Sequence, residues 1–426
     1  MADVKSDSRR PWLWIPSVYF AEGLPYALVM TVSVVFYKNL GVSNADIAFY
    51  TSWLYLPWII KPLWSPVVDL LRTRRWWIWT MQLLLGAGLA GVALTIPTPH
   101  YLQLTLAFFW LLAFSSATHD IAADGFYMLS LPEHGQSFFS GIRSTFYRIA
   151  MICAQGGLVI LAGKIKTRTG SFQSAWMVSF AVAAGLFAGL SVYHRFVLPR
   201  PANDRPGGAG SPAQFLENFF ATFAGFFKKP RITLPLLFLL VYRLGEAQLV
   251  KMVQPFLLDP RAQGGLGLDN NQLGLIYGTA GVAAMLLGGL LGGFVVARHG
   301  LKFWLWPMLL AIHLPDVVFV WLAYARPESL FVIGAGVAVE QFGYGFGFTA
   351  FMLYMIYIAR GEHQTAHYAI CTGFMALGMM VPGMWSGWLQ EHIGYPHFFT
   401  WVLLATIPSF LVALRIPLEA EFGKRS

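Results

Sequence analysis

The chain has 426 residues, of which 57% are apolar and 12% are charged, and its mean hydropathy is +0.58. Soluble domains carry about 25% charged residues, so this composition excludes an ordinary soluble protein and indicates one that crosses a membrane many times. The net charge of +9 does not indicate nucleic-acid binding, because the basic residues lie at the edges of apolar spans and not on one soluble face.

Apolar segments long enough for a helix to cross a membrane, about 20 residues, recur along the chain. We count twelve of them, which predicts an all-α polytopic membrane protein. The N-terminal stretch Lys5 to Arg10 is charged like the start of a signal peptide, but no small-residue cleavage site follows, so we expect an uncleaved first helix. The predicted spans are 12–37, 47–70, 76–97, 101–130, 137–163, 172–197, 232–257, 272–298, 302–324, 329–359, 364–390 and 395–416.

The basic residues predict the orientation. Most of the 29 lysines and arginines fall in cytoplasmic segments when both termini are placed in the cytoplasm, as the positive-inside rule requires. Tryptophans also lie at the predicted helix ends, where they are typical of the membrane interface. They are Trp12, Trp14, Trp76, Trp77, Trp304 and Trp306.

Residues 198–231 interrupt the pattern of spans. A proline-rich and glycine-rich stretch is followed by phenylalanines at helical spacing, which predicts a cytoplasmic linker with an amphipathic helix in the membrane interface. We therefore divide the chain into a six-helix half, 1–197, the linker, and a second six-helix half with a short cytoplasmic tail, 232–426. The phenylalanines are Phe215, Phe219, Phe223 and Phe226.

The two halves resemble each other. A shift of 228 residues carries Trp76 to Trp304 and Gln136 to Gln364 without a gap. Repeats of this kind place a solute site between the halves, near the middle of the membrane. Glycine-rich segments at 288–293 and 343–347 provide small surfaces for close helix approach.

Six ionisable side chains lie inside the spans of the first half. Such groups are costly in hydrocarbon and mark solute or ion pathways. Asp120 and Asp124 are four residues apart and share a helix face. Counted from the short turn at 131–136, Asp124 lies opposite Arg143, and Asp120 lies opposite Arg148. The six are Glu22, Lys61, Asp120, Asp124, Arg143 and Arg148.

Two interpretations of these charges stay open. In the first, one carboxylate takes up a proton when the basic groups turn to an anionic solute, so that Lys61, Arg143 and Arg148 bind solute and the whole set couples transport to protons. Tyr147, beside Arg148, is then predicted to stack on a sugar ring. In the second, the charges form a static salt-bridge network that fastens the first, second, fourth and fifth helices. Buried pairs seldom add net stability, which favours the first interpretation.

The second half has a less regular set of charges. Glu246 lies in the helix related by the repeat to that of Glu22, so we predict that it binds solute, together with Glu340. The alternative for Glu246 is a local pair with Arg243. His313 and Asp316 flank a predicted helix break, where a proton relay is a further alternative.

Several classes of function are excluded. The chain has no Gly-x-x-x-x-Gly-Lys-Ser/Thr loop, so transport must be gradient-driven or facilitated. It has no catalytic motif of the metalloprotease or serine hydrolase type. His119 and Asp120, a conceivable acyltransferase pair, point about 100° apart on a helix. Two cysteines in apolar runs, Cys153 and Cys371, give no disulfide framework or metal site. We expect neither an enzyme nor a cofactor.

Three stretches carry a family resemblance: 20–25 (Phe-Ala-Glu-Gly-Leu-Pro), 61–76, which begins Lys-Pro-Leu-Trp-Ser-Pro, and 119–124 (His-Asp-Ile-Ala-Ala-Asp) with the later Tyr147-Arg148. The chain resembles the AmpG-type muropeptide permeases, in the peptide and acetyl-CoA transporter branch of the major facilitator superfamily. Major facilitators carry a conserved loop after the second helix, where Asp69 and Arg72 stand here, and the resemblance implies that these two act in conformational gating.

The resemblance also implies the function. It implies proton-driven import of cell-wall breakdown products, N-acetylglucosaminyl-anhydromuramyl peptides, across a bacterial inner membrane. The expected partners are this small solute, protons and membrane lipid, without nucleic acid or an obligate protein partner. His119 stands where that family is expected to have glutamine, which concerns the solute and not the fold. The alternatives are an importer of a siderophore or another oligosaccharide, and a receptor that binds its ligand without moving it.

Overall fold

The computed structural model describes residues 10–206, 212–361 and 363–424. The charged stretch before Arg10 and the side chain of Asp69 lie outside this description. The described residues form helices and connecting turns, with no β-strand among them.

Twelve long helices and a shorter linker helix account for most of the described chain. We label them in chain order, counting each helix through any local irregularity. They are α1 (10–39), α2 (44–71), α3 (Arg74–Thr95), α4 (Tyr101–Ser130), α5 (133–169), α6 (Phe172–Val197), α7 (Pro212–Phe227), α8 (233–258), α9 (270–299), α10 (301–325), α11 (Leu330–Ala359), α12 (364–393) and α13 (395–413).

Nine helical segments among the described residues are long and apolar enough to cross a membrane. The longest, Ala366–Ala413, holds two crossings, α12 and α13, because Gly394 leaves the helical conformation with φ +73°. Two further crossings, α2 and α8, are each interrupted once and so fall outside the nine. The predicted count of twelve is therefore confirmed.

The interruptions have local causes. In α2, a turn at 54–55 ends one helix, and Pro57 lies in the first turn of the next, where its missing N–H leaves no hydrogen bond unmade. In α10, a 3₁₀ turn at Leu314–Asp316 includes Pro315, at the predicted helix break. In α8, the helix restarts at Leu244, just after Arg243. Charged side chains lie beside two of these three breaks.

Contacts between the halves follow the expected pseudo-symmetry. The second crossing, α2, packs on the eleventh, α12, and the fifth, α5, packs on the eighth, α9. Segments of π-helix at Cys153–Leu158 and Gly274–Gly281 meet where α5 contacts α9. The linker helix α7 is present where the sequence predicts it, and Phe226 is fully buried, with its ring 5.4 Å from that of His367. The limits of the halves and the interfacial position of α7 stay predictions.

Close approach of α9 and α11 depends on glycine. A methyl group at Gly345 would lie on the carbonyl oxygen of Met285, and one at Gly288 on that of Phe342. This confirms the close helix approach predicted from the glycine-rich segments. We expect Gly345→Ala to destabilise the protein by about 1–3 kcal/mol, because the helices must separate. The loss is measured as a fall in Tm of the purified protein.

Gly293 is the matched control for that substitution. It lies on the same helix as Gly288 but, apart from the backbone of its own helix, no atom of the described residues lies within 4 Å of the position that a methyl group would take. Gly293→Ala should leave Tm unchanged or raise it slightly, since alanine reduces the freedom of the unfolded chain. Equal effects of Gly345→Ala and Gly293→Ala would contradict a role for the close contact.

Candidate functional site

Four helices of the first half bring the predicted charges together. Lys61 of α2 forms an ion pair with Asp120 of α4. Arg143 of α5 forms a second pair with Asp124, with 2.8 Å between Nη2 and Oδ1. The pair between Asp124 and Arg143 confirms the prediction from counting along the α4–α5 hairpin. The prediction for Asp120 is wrong, since its partner is Lys61 and not Arg148.

Aromatic side chains hold the Arg143 guanidinium in place. Its central carbon lies 4.5 Å from the ring centre of Tyr19 and 5.2 Å from that of Tyr127. The Tyr19 hydroxyl also donates to Oδ1 of Asp124 at 3.2 Å. Two faces of π electrons and one carboxylate therefore fix this cation. Its side chain is 31% exposed, so a solute can still reach it.

Glu22 of α1 adds a third acid to the cluster. One carboxylate oxygen each from Glu22, Asp120 and Asp124 lie within 4.8 Å of one another. Glu22 is only 9% exposed, and its Oε2 has no hydrogen-bond partner among the described residues. Three carboxylates thus face two paired bases, Lys61 and Arg143. The cluster therefore has one more acid than bases.

Arg148 lies apart from the acids, at the boundary between the halves. Its Nη2 lies 3.8 Å from the position that a Cβ atom would take on Gly289 of α9. Within the described part of the chain no carboxylate pairs with it, and its electrostatic neighbours are Tyr147 and Tyr344. It is partly buried. A guanidinium in this position has its hydrogen-bond donors available for an anion.

Tyr147 belongs to a small group of aromatic rings beside this arginine. Its ring centre lies 6.5 Å from that of Tyr26, which in turn lies 5.4 Å from Trp58. The backbone of Tyr147 packs closely on Gly23 of α1. Helices α1, α2 and α5 therefore bring aromatic rings together next to the charged cluster.

The second half holds another group of acids, from three helices. Oxygens of Glu246, Asp316 and Glu340 lie within 4.8 Å of one another, and all three residues are buried. In the part of the chain that the structure describes, neither carboxylate oxygen of Asp316 has a hydrogen-bond partner, whereas Gln341 donates to Glu340 at 3.0 Å. The two acids predicted to bind solute thus share a buried group, and solute contact stays a prediction for both.

The Arg243 side chain makes its contacts elsewhere than at Glu246, the alternative partner considered in the sequence analysis. Its Nη2 donates to the Tyr344 hydroxyl at 2.7 Å, and its guanidinium lies 5.0 Å from the ring centre of Phe348. Among the described side chains, no hydrogen bond or ion pair joins Arg243 to Glu246. His313 likewise pairs with Ser409, at 3.1 Å, and not with Asp316.

The His119 side chain points away from the charged cluster that contains Glu22, Asp120 and Asp124. Its Nε2 lies 2.9 Å from the amide nitrogen of Gln82, which also contacts His194 at 2.8 Å through its carbonyl oxygen. The ring is fully buried. His119 therefore joins a polar chain within the first half, which agrees with the exclusion of a catalytic pair with Asp120.

The predicted gating loop is described only in part. Arg72 is exposed, and its guanidinium lies 5.8 Å from the ring centre of Trp76. The side chain of its predicted partner Asp69 is outside the described part of the chain. A gating role for these two residues stays a prediction.

A polar cluster that sequence reasoning missed joins the halves at the end opposite the termini. Nζ of Lys38, at the end of α1, lies 2.6 Å from Oδ1 of Asp259, just after α8. Tyr395 donates to the same carboxylate at 2.6 Å. Asn44 accepts from Lys38 at 2.7 Å and donates to Gln390 at 2.6 Å. We call these five residues the closing cluster.

The closing cluster and the charged site lie toward opposite ends of the bundle. Asp259 is only 7% exposed, which shows that the halves meet firmly there. Asp124, in contrast, is 38% exposed and lies near the end of α4 that faces the termini. The structure is therefore closed at one end, whereas the charged site toward the other end is partly exposed. One feature of the sequence could have indicated the closing cluster: Lys38 and Asp259 lie at equivalent ends of the first and seventh crossings.

Solved structures share this architecture. A bacterial homologue of the human lysosomal transporter Spinster, inward-facing and unoccupied, matches with a TM-score of 0.69 and 14% identity, over 96% of each chain. A D-xylose-proton symporter matches with a TM-score of 0.66 and 12% identity, over 97% of this chain and 98% of its own. Together with the crossings, these matches define a multi-pass helical membrane protein of the major facilitator fold.

The family follows from the sequence. The chain matches the BT1 family over residues 21–419, and it belongs to that family. The anhydromuropeptide permease of Escherichia coli K12 is 25% identical over 410 residues, 93% of this chain and 77% of the relative. The putative transporter AmpG 4 of Rickettsia conorii is 25% identical over 402 residues, 92% and 93% of the two chains. The resemblance to AmpG-type permeases is thereby confirmed.

Proposed function

We propose that this transporter imports a muropeptide, or a related amino-sugar oligosaccharide, into the cytoplasm together with protons. The observation that carries the proposal is Arg148, a partly buried guanidinium at the boundary of the halves without a carboxylate partner among the described residues. Arginine binds carboxylates through two parallel hydrogen bonds. A muropeptide offers such carboxylates together with sugar rings, and relatives named for this solute support the choice.

The solute site is built on the first half. Arg148 binds a peptide carboxylate, and Tyr147 stacks on a sugar ring beside it. Arg143 and Lys61 turn to the remaining anionic groups when the solute enters from the far side of the membrane. Their present partners, Asp124 and Asp120, are only partly buried, so this exchange of partners does not expose either charge to hydrocarbon.

Proton coupling follows from the same exchange. In the structure, Glu22, Asp120 and Asp124 share two bases, which leaves one negative charge to be neutralised. When solute draws Arg143 away from Asp124, a second acid is left unpaired beside the other two carboxylates, and repulsion between like charges makes its ionised form costly. Protonation of that acid relieves the cost, so solute and proton bind together.

Alternating access completes the proposal. The two halves, 1–197 and 232–426, rock about the site, and the linker 198–231 stays in the cytoplasm with both termini. The membrane is then a bacterial inner membrane. The gating roles of Asp69 and Arg72 belong to this proposal, and so does solute contact by Glu246 and Glu340 once the second half opens.

The test is uptake by the purified protein in liposomes. Labelled anhydromuramyl peptide should accumulate faster with an inward proton gradient. Arg148→Ala should weaken the binding of this peptide roughly ten- to hundredfold, which corresponds to the free energy of a hydrogen bond to a charged group. Asp124→Asn should remove the response to the gradient. Arg168→Ala, at an exposed position of α5, is the control and should transport like wild type.

Three outcomes separate the alternatives. Folded wild-type protein that accumulates a siderophore or another glycan, but no muropeptide, keeps the transporter and replaces its solute. Binding without accumulation under any gradient indicates a receptor. Uptake that does not depend on the gradient in wild type removes the proton from the proposal.

A further inference from the structure

A basic cavity lies on the outer side of the first half, away from the solute site. It has a volume of about 380 Å³ and lies where α3 begins and α6 ends. Its walls include three arginines, Arg75, Arg195 and Arg200, and two tryptophans, Trp76 and Trp79. The charged cluster that contains Glu22, Asp120 and Asp124 is built on α1, α2, α4 and α5. The basic cavity therefore belongs to a separate surface.

One of the arginines holds the cavity together. Nε of Arg75 donates to the carbonyl oxygen of Leu198 at 3.1 Å, and its Nη2 donates to that of Arg195. These carbonyls belong to the last turn of α6 and to the residue that follows it, where helix carbonyls lack partners within the helix. Arg75 thus fixes the end of α6 against the start of α3, and the cavity is preformed.

The other two arginines are free to bind a ligand. Arg195 and Arg200 are exposed, and no carboxylate among the described residues pairs with either. The nearby acid, Asp204, accepts from the backbone N–H groups of Arg74 at 2.8 Å and Arg75 at 3.1 Å, and so is occupied with the start of α3. The Arg195 guanidinium lies 5.0 Å from the Trp79 ring centre, which directs it along the cavity wall.

The surroundings of the cavity are those of a lipid site. Tryptophans prefer the level of the lipid headgroups. Phe196, on the cavity wall, is 77% exposed, and Val192, one turn earlier, is 59% exposed, so an apolar face continues from the cavity along α6. Basic pockets between membrane helices bind anionic lipid headgroups.

We propose that this cavity binds the headgroup of an anionic phospholipid. Arg195 and Arg200 bind the phosphate oxygens through paired N–H donors, which arginine presents in a planar fork. Trp76 and Trp79 lie against the glycerol region, and an acyl chain follows the apolar face through Phe196 and Val192. Occupation of the cavity joins α3 to α6 from outside and so stabilises the first half.

The repeat-related surface of the second half lacks these features. The shift of 228 residues carries Arg75 to Phe303 and Trp76 to Trp304. The Trp304 indole donates to His299 at 3.1 Å, a different arrangement from that of the cavity. Two exposed cations, Arg298 and Lys302, nevertheless lie close by, so this surface supplies a matched control.

The experiment measures lipid binding by the purified full chain in neutral detergent. Cardiolipin, phosphatidylcholine and inorganic phosphate are titrated separately, and Tm and the lipid retained in native mass spectrometry are recorded. We expect cardiolipin to raise Tm and to be retained, and phosphatidylcholine to do neither. The double variant R195A/R200A should bind cardiolipin roughly thirtyfold more weakly, because each basic residue contributes about 1 kcal/mol to the binding free energy. The control R298A/K302A should bind like wild type.

Other outcomes overturn the proposal. Equal loss in the two double variants would show attraction to overall positive charge and not a site. An equal rise in Tm with inorganic phosphate would identify a free phosphate site. If R195A/R200A does not fold, Arg200→Glu alone replaces it, and cardiolipin binding that this variant retains in full contradicts the assignment. Solute uptake is measured separately, so its failure does not affect the result.

Discussion

Lys61→Met is expected to abolish gradient-driven solute uptake and to lower Tm. The substitution leaves Asp120 unpaired beside Glu22, in a cluster that already has one more acid than bases. Breaking a fully buried ion pair costs about 3–5 kcal/mol. The Lys61 and Asp120 side chains are 21% and 18% exposed, so water reduces this cost without removing it.

Adding Asp120→Asn to Lys61→Met separates the two interpretations of the cluster. The double variant has no unpaired charge at this position, and neutral replacements of buried pairs are often as stable as the pair. We expect its Tm to return close to that of wild type while uptake stays absent, because the carboxylate that exchanges partners is gone. Tm of the purified protein and uptake in liposomes are measured on the same preparations.

The control for this series is Lys164→Met. Lys164 is exposed on α5 and lies outside the charged cluster, so its replacement should change neither Tm nor uptake. A double variant that recovers both stability and uptake would show that the pair only fastens α2 to α4, as the static network interpretation holds. A single variant with unchanged Tm would show that Asp120 needs no cation.

The pairing of these charges shows how far a sequence can predict a membrane site. Asp124 and Arg143 lie on one helical hairpin with a short turn, so counting residues from that turn gives their relative depth. The partner of Asp120 comes from α2, and no short connection relates the depths of α2 and α4. The sequence therefore selected the six charged residues, but the packing of four helices decides which of them meet.

The position of Arg148 illustrates the same limit. It was predicted to face Asp120 within the hairpin, because its depth matches. Arg143 and Arg148 are five residues apart, however, and such residues point in clearly different directions on a helix. Arg143 accordingly faces α4, whereas Arg148 faces α9 of the second half. The fold, in contrast, can be predicted from the lengths of the apolar spans and from the repeat that relates the two halves. Neither requires knowledge of which residues are in contact.

The closing cluster was missed for a related reason. Its members lie at helix ends: Lys38, Asn44 and Asp259 are just outside the predicted spans, and Gln390 and Tyr395 are terminal residues of two spans. Single polar or charged residues are common at such positions and carry little information. Lys38 and Asp259 are 221 positions apart, and only the packing of α1 and α2 against α8 and α12 brings them together. Contacts between repeated halves are therefore the part of such a site that requires a structure.

Asp259→Asn is expected to open the end of the molecule that the closing cluster holds shut. The Asp259 carboxylate accepts from Lys38 and Tyr395, and so links the first half to the second. A hydrogen bond to a charged group contributes about 1.5–3 kcal/mol, so its loss should raise the population open at this end roughly ten- to hundredfold. Asparagine has nearly the same shape, so the helices themselves should stay folded.

A cysteine at position 52 reports this opening. Ser52 is fully buried between the halves, against Gly383 of α12. In a background without Cys153 and Cys371, the Ser52→Cys thiol should react slowly with a maleimide in lipid nanodiscs, and much faster once Asp259→Asn is added. Asp46→Asn is the control, because the exposed Asp46 carboxylate accepts from Ser43 of its own half and, among the described residues, contacts no donor of the second half. Equal rates with and without Asp259→Asn, at unchanged Tm, would contradict this expectation. They would mean that apolar packing of α2 on α12 holds this end closed. The Asp259 carboxylate would then contribute nothing to the equilibrium between the state open at this end and the state open at the other end.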